Sequence, residues 1–310
     1  MGGFVHLHLH TEYSLLDGLT RISSIADKAL EDGQTAVAIT DHGVMYGAVE
    51  FYNALKAKGV KPIIGCEVYV ARRSRLQKEG KFDSSGNHLV LLCKNEIGYR
   101  NLCYMMSMSF IDGFYSRPRI DMELLKEHHE GLIALSGCLA GKIPQYILEG
   151  NVDEAENAAI ELKNIFGEDF YLEIQNHGLD DERKIAYGLS MLASKLHIPL
   201  VATNDVHYLE RSDADVQATL MCIQTGNVIS DGRPFGFETD EYYFKTEKEM
   251  RALFAPFPEA VDNTAVIAEK CNFDFEFGKL YLPTFTPENG KSHAEKLRED
   301  AFDGFKKKVS

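Results

Sequence analysis

The chain has 310 residues, of which 45% are apolar, enough for one large α/β barrel or two modest domains. Its net charge of −14 argues against a non-specific nucleic-acid binder, which normally carries a basic face. That charge leaves room for an enzyme that meets phosphate groups through bound cations. No apolar run reaches 18 residues, so neither a transmembrane helix nor a membrane partner is predicted.

The first predicted element is a strand over residues 4–10. Its alternation places His6, His8 and His10 on one face, opposite the apolar residues. Because neutral imidazole is the commonest metal ligand, this strand indicates a metal site. We predict that His6 is a core or supporting residue, and that Asp17 supplies an oxygen ligand to a second ion.

Strands and helices then alternate along the chain. Further strands are predicted over residues 35–40, 62–70, 89–93, 132–136, 170–174 and 200–203. Helices are predicted over residues 21–32, 44–58, 97–110, 151–166, 181–196, 213–225, 258–271 and 292–310. Capping boxes are predicted at Asn151 and Thr246.

This alternation predicts a parallel α/β fold, either an open doubly wound sheet or a closed barrel. The barrel is favoured because polar residues follow nearly every strand, and a barrel brings those strand ends to one mouth. His88 does not fit this scheme, since it precedes its strand. The chain has no export signal and no C-x-x-C pairs, which predicts a cytoplasmic protein with buried thiols.

Nine residues at these positions carry groups that bind metals. They are His8, His10, Asp17, His42, Glu67, His88, Cys138, Asp205 and His207. Nine ligands are too many for one ion, so we predict two or three divalent ions. Mixed imidazole, carboxylate and thiolate ligation suits zinc and tolerates manganese or iron.

A metal cluster of this kind predicts a phosphoesterase. Four anionic ligands against three divalent ions leave a surplus of about +2, which attracts phosphate and acidifies a bridging water. His10, Asp205 and His207 are the predicted catalytic residues. Arg117 and Arg119 are candidates for contact with a nucleic-acid backbone, although a solvated loop fits them equally well.

Four motifs carry a family resemblance: His8-Leu9-His10-Thr11, Ile39-Thr40-Asp41-His42-Gly43, Gly65-Cys66-Glu67 and Asn204-Asp205-Val206-His207. They resemble the PHP (polymerase and histidinol phosphatase) superfamily. Further motifs are Glu12-Tyr13-Ser14-Leu15-Leu16-Asp17-Gly18, Pro62-Ile63-Ile64-Gly65, Ser116-Arg117-Pro118-Arg119-Ile120-Asp121, Leu135-Ser136-Gly137-Cys138 and Tyr242-Tyr243-Phe244-Lys245. These are similar to the N-terminal domains of bacterial replicative DNA polymerase III α subunits, and the resemblance covers essentially the whole chain.

The resemblance implies a distorted (β/α)7 TIM-like barrel, the PHP fold. It implies that the nine positions bind three divalent ions, zinc or manganese with iron or magnesium as alternatives. The implied activity is a 3′–5′ exonuclease acting on a single-stranded or mismatched 3′ end of DNA. Residues 1–280 would form the metal-binding domain, and residues 281–310 a linker and the start of the polymerase region. The polymerase active site would lie outside this chain.

Three functions remain open at this point. The first is the exonuclease. The second is a metal-stabilised structural domain that contacts the rest of the polymerase and, in some members, a separate proofreading exonuclease. The third is a small-molecule phosphatase of the histidinol phosphatase type, against which the polymerase-like segment over residues 242–272 speaks. The sequence does not separate the first two.

Overall fold

The computed structural model describes residues 3–15, 17–229, 236–280 and 282–309. The chain divides into two units, Met1–Asp274 and Phe275–Ser310. The helices of the first unit are α1 (Ile22–Glu31), α2 (Ala48–Ala57), α3 (Gly80–Ser84), α4 (Glu96–Ile111), α5 (Met122–Glu127), α6 (Lys142–Leu148), α7 (Val152–Phe166), α8 (Asp180–Leu196), α9 (Ala214–Thr225), α10 (Glu247–Leu253) and α11 (Pro258–Lys270). The second unit contains α12 (His293–Val309).

One mixed sheet forms the centre of the first unit. Its strands are β1 (Ala36–Ile39), β2 (Lys61–Ala71), β3 (Gly86–Cys93), β4 (Arg119–Ile120), β5 (Leu132–Leu135), β6 (Phe170–Ile174) and β7 (Leu200–Ala202). The strand order is β1-β2-β3-β5-β6-β7, and β4 pairs with β2 off this path. The six strands predicted after residue 10 and the predicted helices are present, in an α/β arrangement.

The sheet is not wholly parallel, which differs from the predicted array. Strand β3 runs antiparallel to both β2 and β5, with Glu67 opposite Val90 and His88 opposite Tyr69. Reversing a strand moves its first residue to the edge where its parallel neighbours end. The position of His88 at the start of β3 therefore places it beside the ends of the other strands.

The N-terminal segment closes the sheet into a distorted barrel, which confirms the predicted fold class. On one side the Ala38 amide donates to the His6 carbonyl, and on the other the His10 amide donates to the Val206 carbonyl. The segment forms isolated bridges and bends at His8, so it is not the regular strand that its alternation predicts. Leu7 thus joins the apolar barrel interior, while His8 and His10 lie in the mouth above it.

The barrel interior is filled by apolar side chains from alternate positions of the strands. They form one buried cluster that includes Ala36 and Ala38 of β1, Val90 and Leu92 of β3, and Ile133 of β5. Helix α11 contributes Ile267, Ala268 and Cys271 to the same cluster. A packed interior leaves the polar strand ends at the mouth as the place for chemistry.

Local sequence explains the helix ends only in part. Helix α1 buries residues with helical spacing, and it is followed by Gly33 at a φ of 73°. The predicted capping box at Thr246 is confirmed, because its side chain accepts from the Glu249 amide. The one at Asn151 is wrong, since that side chain makes no capping hydrogen bond. Among the described helices, none is long and apolar enough to cross a membrane.

Candidate metal centre

The barrel brings all nine predicted site residues to one mouth. We call these nine residues the mouth cluster. Glu67 stands at its centre, and its carboxylate lies within 4 Å of imidazole nitrogens of four histidines. The four are His8 at 3.3 Å, His10 at 3.9 Å, His42 at 2.6 Å and His88 at 2.9 Å. Asp17, Asp205 and His207 lie on the far side of His10 and His42, and Cys138 lies beside His88.

Three histidines are oriented with Nε2 towards the centre. Nδ1 of His8 donates to Glu173 Oε1 at 2.7 Å, and Nδ1 of His207 donates to the Asp205 carbonyl at 2.8 Å. Nδ1 of His10 donates to Ser14 Oγ at 3.1 Å, which in turn donates to Asp41. Because each Nδ1 carries a proton to an outer partner, each Nε2 keeps a lone pair for a ligand in the mouth.

Several of these inward atoms are buried without a hydrogen-bond partner. They are Nε2 of His8, Nε2 of His10, Oδ1 of Asp17 and Oδ1 of Asp205. Asp205 Oδ1 lies 3.3 Å from His8 Nε2 and 3.1 Å from His10 Nε2. Two ligand atoms about 2.0–2.2 Å from one zinc ion are themselves roughly 3–3.5 Å apart. The spacing and chemistry of these atoms therefore fit a divalent cation.

The charges of the mouth cluster also fit a cation site. Among the described residues, every ion-pair partner of the Asp17, Glu67 and Asp205 carboxylates is a histidine. Burial would lower the pKa of His42, but Glu67 and Asp17 raise it to about 10. Burial would raise the pKa of Asp17, but His42 and His207 lower it to about 2. Without ions, protons on imidazoles balance the buried carboxylates.

The pKa values of two other mouth residues, His10 and Cys138, shift in the direction that favours their neutral forms. Burial and the charges of His42 and His207 lower the pKa of His10 to about 3. Burial and the anionic Glu67 and Asp205 raise the pKa of the Cys138 thiol well above its usual value. The Cys138 sulfur lies 3.5 Å from His88 Nδ1 and 3.6 Å from Glu67 Oε1. A thiol in this position becomes a ligand only when a cation displaces its proton.

The loop after β7 holds Asp205 in an uncommon backbone conformation, with a φ of 45°. Its neighbour Asn204 fixes the loop, because Nδ2 donates to the carbonyls of Glu241 and Tyr243. His177 donates from Nε2 to the Asn204 carbonyl at 2.9 Å. A left-handed aspartate persists only where surrounding contacts impose it, and such sites cluster at functional positions.

Several other candidates have structural contacts. His6 packs against Phe4 and Phe244, its Nε2 meets the Lys245 carbonyl at 2.8 Å, and burial lowers its pKa to about 3. Its described contacts place it in the core. His177 lies with Glu182 and Asn204 behind the mouth.

The prediction that Arg119 contacts a nucleic-acid backbone is wrong. Its side chain is fully buried and donates to the carbonyls of Gly113, Asp83, Arg75 and Gln77. Arg117 is exposed, and its guanidinium lies 5.6 Å from the centre of the Tyr69 ring. Arg117 lies in the turn before β4, next to Ser116 with its φ of 61°, whereas Arg119 is the first residue of the strand.

Sequence reasoning missed the residues that support the ligands. Glu173 is buried in β6 and holds His8, while Asp41 accepts from the Thr11 amide and hydroxyl as well as from Ser14. A signal for Glu173 was present, since it is a charged residue inside the otherwise apolar run Phe170–Ile174. Buried charges need a partner, so a lone glutamate in a core strand indicates a specific contact.

Comparisons with known proteins agree with this geometry. A DNA polymerase III subunit alpha of Borreliella burgdorferi is 45% identical over 284 residues, 91% of this chain and 25% of that protein. One from Thermus aquaticus is 45% identical over 314 residues, 97% of this chain and 26% of that protein. The chain thus spans about a quarter of the length of the curated relatives that it matches.

An amidohydrolase from Chromobacterium violaceum has a similar structure, with a TM-score of 0.43 and 16% identity, over 66% of this chain and 87% of that one. A likeness this distant adds nothing to the assignment. The family model described as the PHP domain matches residues 6–177, more than half of the chain. The matched region contains seven of the nine mouth residues, from His8 to Cys138. The chain belongs to the PHP domain family.

Proposed function

We propose that this chain is a metal-dependent phosphodiesterase domain that removes nucleotides from the 3′ end of DNA. The nine residues of the mouth cluster hold three divalent ions, zinc or manganese. The observation that carries the proposal is the convergence of unpartnered imidazole nitrogens and carboxylate oxygens at the spacing of atoms around a cation. Burial makes that arrangement costly unless a cation occupies it.

The chemistry divides between the ions and the protein. Bound divalent ions supply positive charge for phosphate oxygens and acidify water. Nε2 of His10 and the Asp205 carboxylate, 3.1 Å apart, hold one side of the centre. The Asp17 carboxylate and His207, 3.6 Å apart, hold the other side. Glu173 and Asp41 keep the imidazoles in the orientation that exposes Nε2.

The relatives suggest the setting of this domain. We propose that residues 1–280 form the metal-binding domain of a longer DNA polymerase chain and that residues 281–310 lead into the next domain. DNA and the rest of that polymerase are the proposed partners, with a separate proofreading exonuclease as a further one. The 45% identity to polymerase subunits favours this setting over a small-molecule phosphatase.

The test is a nuclease assay on a primer with a mismatched 3′ end, with zinc or manganese added back to metal-free protein. We expect release of nucleotides by the wild type and no detectable release by Asp205→Asn or His10→Ala. Loss of one preorganised electrostatic contact costs about 10²–10³ in rate, and loss of an ion costs at least as much. Arg117→Ala should weaken DNA binding only modestly.

Unchanged circular dichroism of the variants serves as the control for folding. If the wild type and both ligand variants release nucleotides at the same rate, the activity is contamination and the proposal fails. The favoured function would then be the metal-stabilised structural domain, since the mouth cluster would bind ions without turnover.

A further inference from the structure

A cleft opens beside the mouth cluster and shares Asp17 and His42 with it. Four aromatic side chains line this cleft: Tyr13, Tyr46, Tyr69 and Phe110. We call it the aromatic cleft. Its aromatic lining contrasts with the histidines and carboxylates of the adjoining mouth.

Two of these rings are turned to solvent. Tyr46 is 63% exposed and Phe110 is 40% exposed, although both carry large apolar surfaces. Tyr69, by contrast, is buried, and its ring meets the His88 ring edge-on at 5.1 Å. The cleft therefore has a fixed aromatic wall next to the metal centre and two accessible rings further out. Exposed rings gathered in one concave site mark a place where a flat group binds.

The positively charged side chain of Arg117 lies between the aromatic cleft and the mouth cluster. Arg117 lines both the aromatic cleft and the larger opening over the mouth cluster. Its guanidinium lies over Tyr69, and no described carboxylate forms an ion pair with it. It can bind an anionic group that spans from the metal centre into the cleft.

Hydrogen bonds to the backbone hold the turn that carries Arg117. The Tyr115 amide donates to the Arg117 carbonyl at 3.1 Å, and Ser116 between them has a φ of 61°. Arg119 anchors this turn from inside, because its Nε donates to the Gly113 carbonyl at 3.0 Å. Arg117 is thus held near the ring of Tyr69 by the backbone and does not depend on a side-chain partner.

We propose that the aromatic cleft binds the nucleobase adjacent to the scissile phosphate, with Arg117 on the next phosphate towards the 5′ end. This inference rests on the proposed phosphodiesterase function and names its substrate as an unpaired, base-bearing strand. A base can lie flat on these rings only when it is unstacked from its neighbours, which selects single-stranded or frayed ends. Stacking is tolerant of base identity, so all four bases are accepted.

The experiment compares substrates with and without bases on the metal-loaded chain. The substrates are a thymidine oligomer and the same oligomer with abasic units at its 3′ end. For the double variant Tyr46→Ala/Phe110→Ala we expect the ratio of kcat/KM for the thymidine oligomer to that for the abasic oligomer to fall at least about fivefold. The wild type should prefer the thymidine oligomer over the abasic one by a similar factor.

Matched controls are Ile111→Ala, next to Phe110 on α4, and Tyr187→Ala on α8, both highly exposed and outside the cleft. Neither should change the ratio, while Tyr46→Phe/Phe110→Tyr should restore it. If the wild type cleaves the thymidine oligomer and the double variant keeps the same ratio, the base subsite is wrong while the phosphodiesterase proposal stands. If the wild type cleaves no substrate, the phosphodiesterase proposal fails, and fluorescence anisotropy of a labelled oligomer decides. Weaker binding by the double variant would then support the subsite, and equal binding would overturn it.

Discussion

Two buried polar clusters in this barrel differ in how their charges are balanced. In the mouth cluster, carboxylates face histidines and four buried atoms lack a hydrogen-bond partner. The second group, which we call the arginine cluster, consists of the buried Asp83, Arg119 and Asp121 with the half-buried Arg75 and the exposed Arg73 at its edge. There Arg119 donates to four carbonyls, Arg73 pairs with Asp83, and Arg75 pairs with Asp121. Of its described atoms, Arg75 Nε alone is buried without a partner.

The difference teaches how to recognise a functional polar cluster. Buried polar groups in folded proteins normally find partners within the protein. In the arginine cluster nearly all donors and acceptors pair with one another and hold together the segments around β4. Few of its polar groups are therefore left to bind a ligand. In the mouth cluster, unpaired nitrogen and oxygen atoms and negative charge are directed at one point. A cation bound there would pair with these atoms and balance the charge.

The largest stability effect is expected in the arginine cluster. Replacing Arg119 with Met leaves the carbonyls of Gly113, Asp83, Arg75 and Gln77 without their donor, while the Asp83 carboxylate keeps its ion pair with Arg73. We expect the free energy of unfolding to fall by about 3–5 kcal/mol, because each hydrogen bond from a charged donor contributes roughly 1.5–3 kcal/mol and the buried guanidinium offsets part of that sum. Urea titration measures it, with Arg72→Met, an exposed arginine, as the control. A loss below about 1 kcal/mol would show that water satisfies these carbonyls.

Removal of metal should affect the mouth cluster by a comparable amount. Ions bound only to the folded state stabilise it by about 3–4 kcal/mol at 100–1,000 times Kd. We therefore expect a clear fall in melting temperature with chelator, and the same fall in the Arg72→Met variant. An unchanged melting curve after verified metal removal would mean that no metal site stabilises the barrel.

A smaller effect is expected from the support of a single ligand. Glu173→Gln keeps the shape of the side chain but weakens the acceptor for His8 Nδ1, 2.7 Å away. Loss of such a supporting contact typically lowers metal affinity about 10–100-fold. Competition with a chromophoric chelator measures the affinity, and Glu156→Gln, on the surface of α7, provides the control. Equal metal affinity in wild type and Glu173→Gln would show that Glu173 does not support metal binding by His8.

The smallest expected effect is the acid response of the arginine cluster. Burial would raise the pKa of Asp121, but the amides of Arg75 and Leu124 and the Arg75 guanidinium lower it. A carboxylate with a lowered pKa in the folded state contributes stability above its unfolded value, about 3.9, and loses it as the pH falls through its folded value. The stability gap between wild type and Asp121→Asn should therefore be larger at pH 7 than at pH 3. A gap independent of pH would contradict this pairing.

The candidate ligands could be predicted from sequence because their spacing follows the strands. His42 and Asp205 each follow an apolar run, and a barrel brings such positions together whatever the details of its packing. His88 could not be placed because strand direction depends on the partner strands, which the local pattern of β3 does not encode.

Supporting contacts were harder to predict, since they join segments far apart in the chain. Glu173 acts on His8 across 165 positions, and Arg119 acts on carbonyls up to 44 positions away. The bend at His8 and the failed cap at Asn151 show the same limit. The local sequence pattern limits which face of a strand, or which end of a helix, a residue can occupy. Tertiary contacts decide which of these possibilities the fold adopts.

The central claim is that the mouth cluster binds more than one divalent ion, and elemental analysis tests it most directly. Metal-free protein is reconstituted with zinc or manganese, desalted and measured beside His10→Ala and Arg72→Met. We predict more than one equivalent of metal per chain in the wild type and in Arg72→Met, and a lower value in His10→Ala. Only trace metal in reconstituted wild type, or equal content in His10→Ala, would contradict the account.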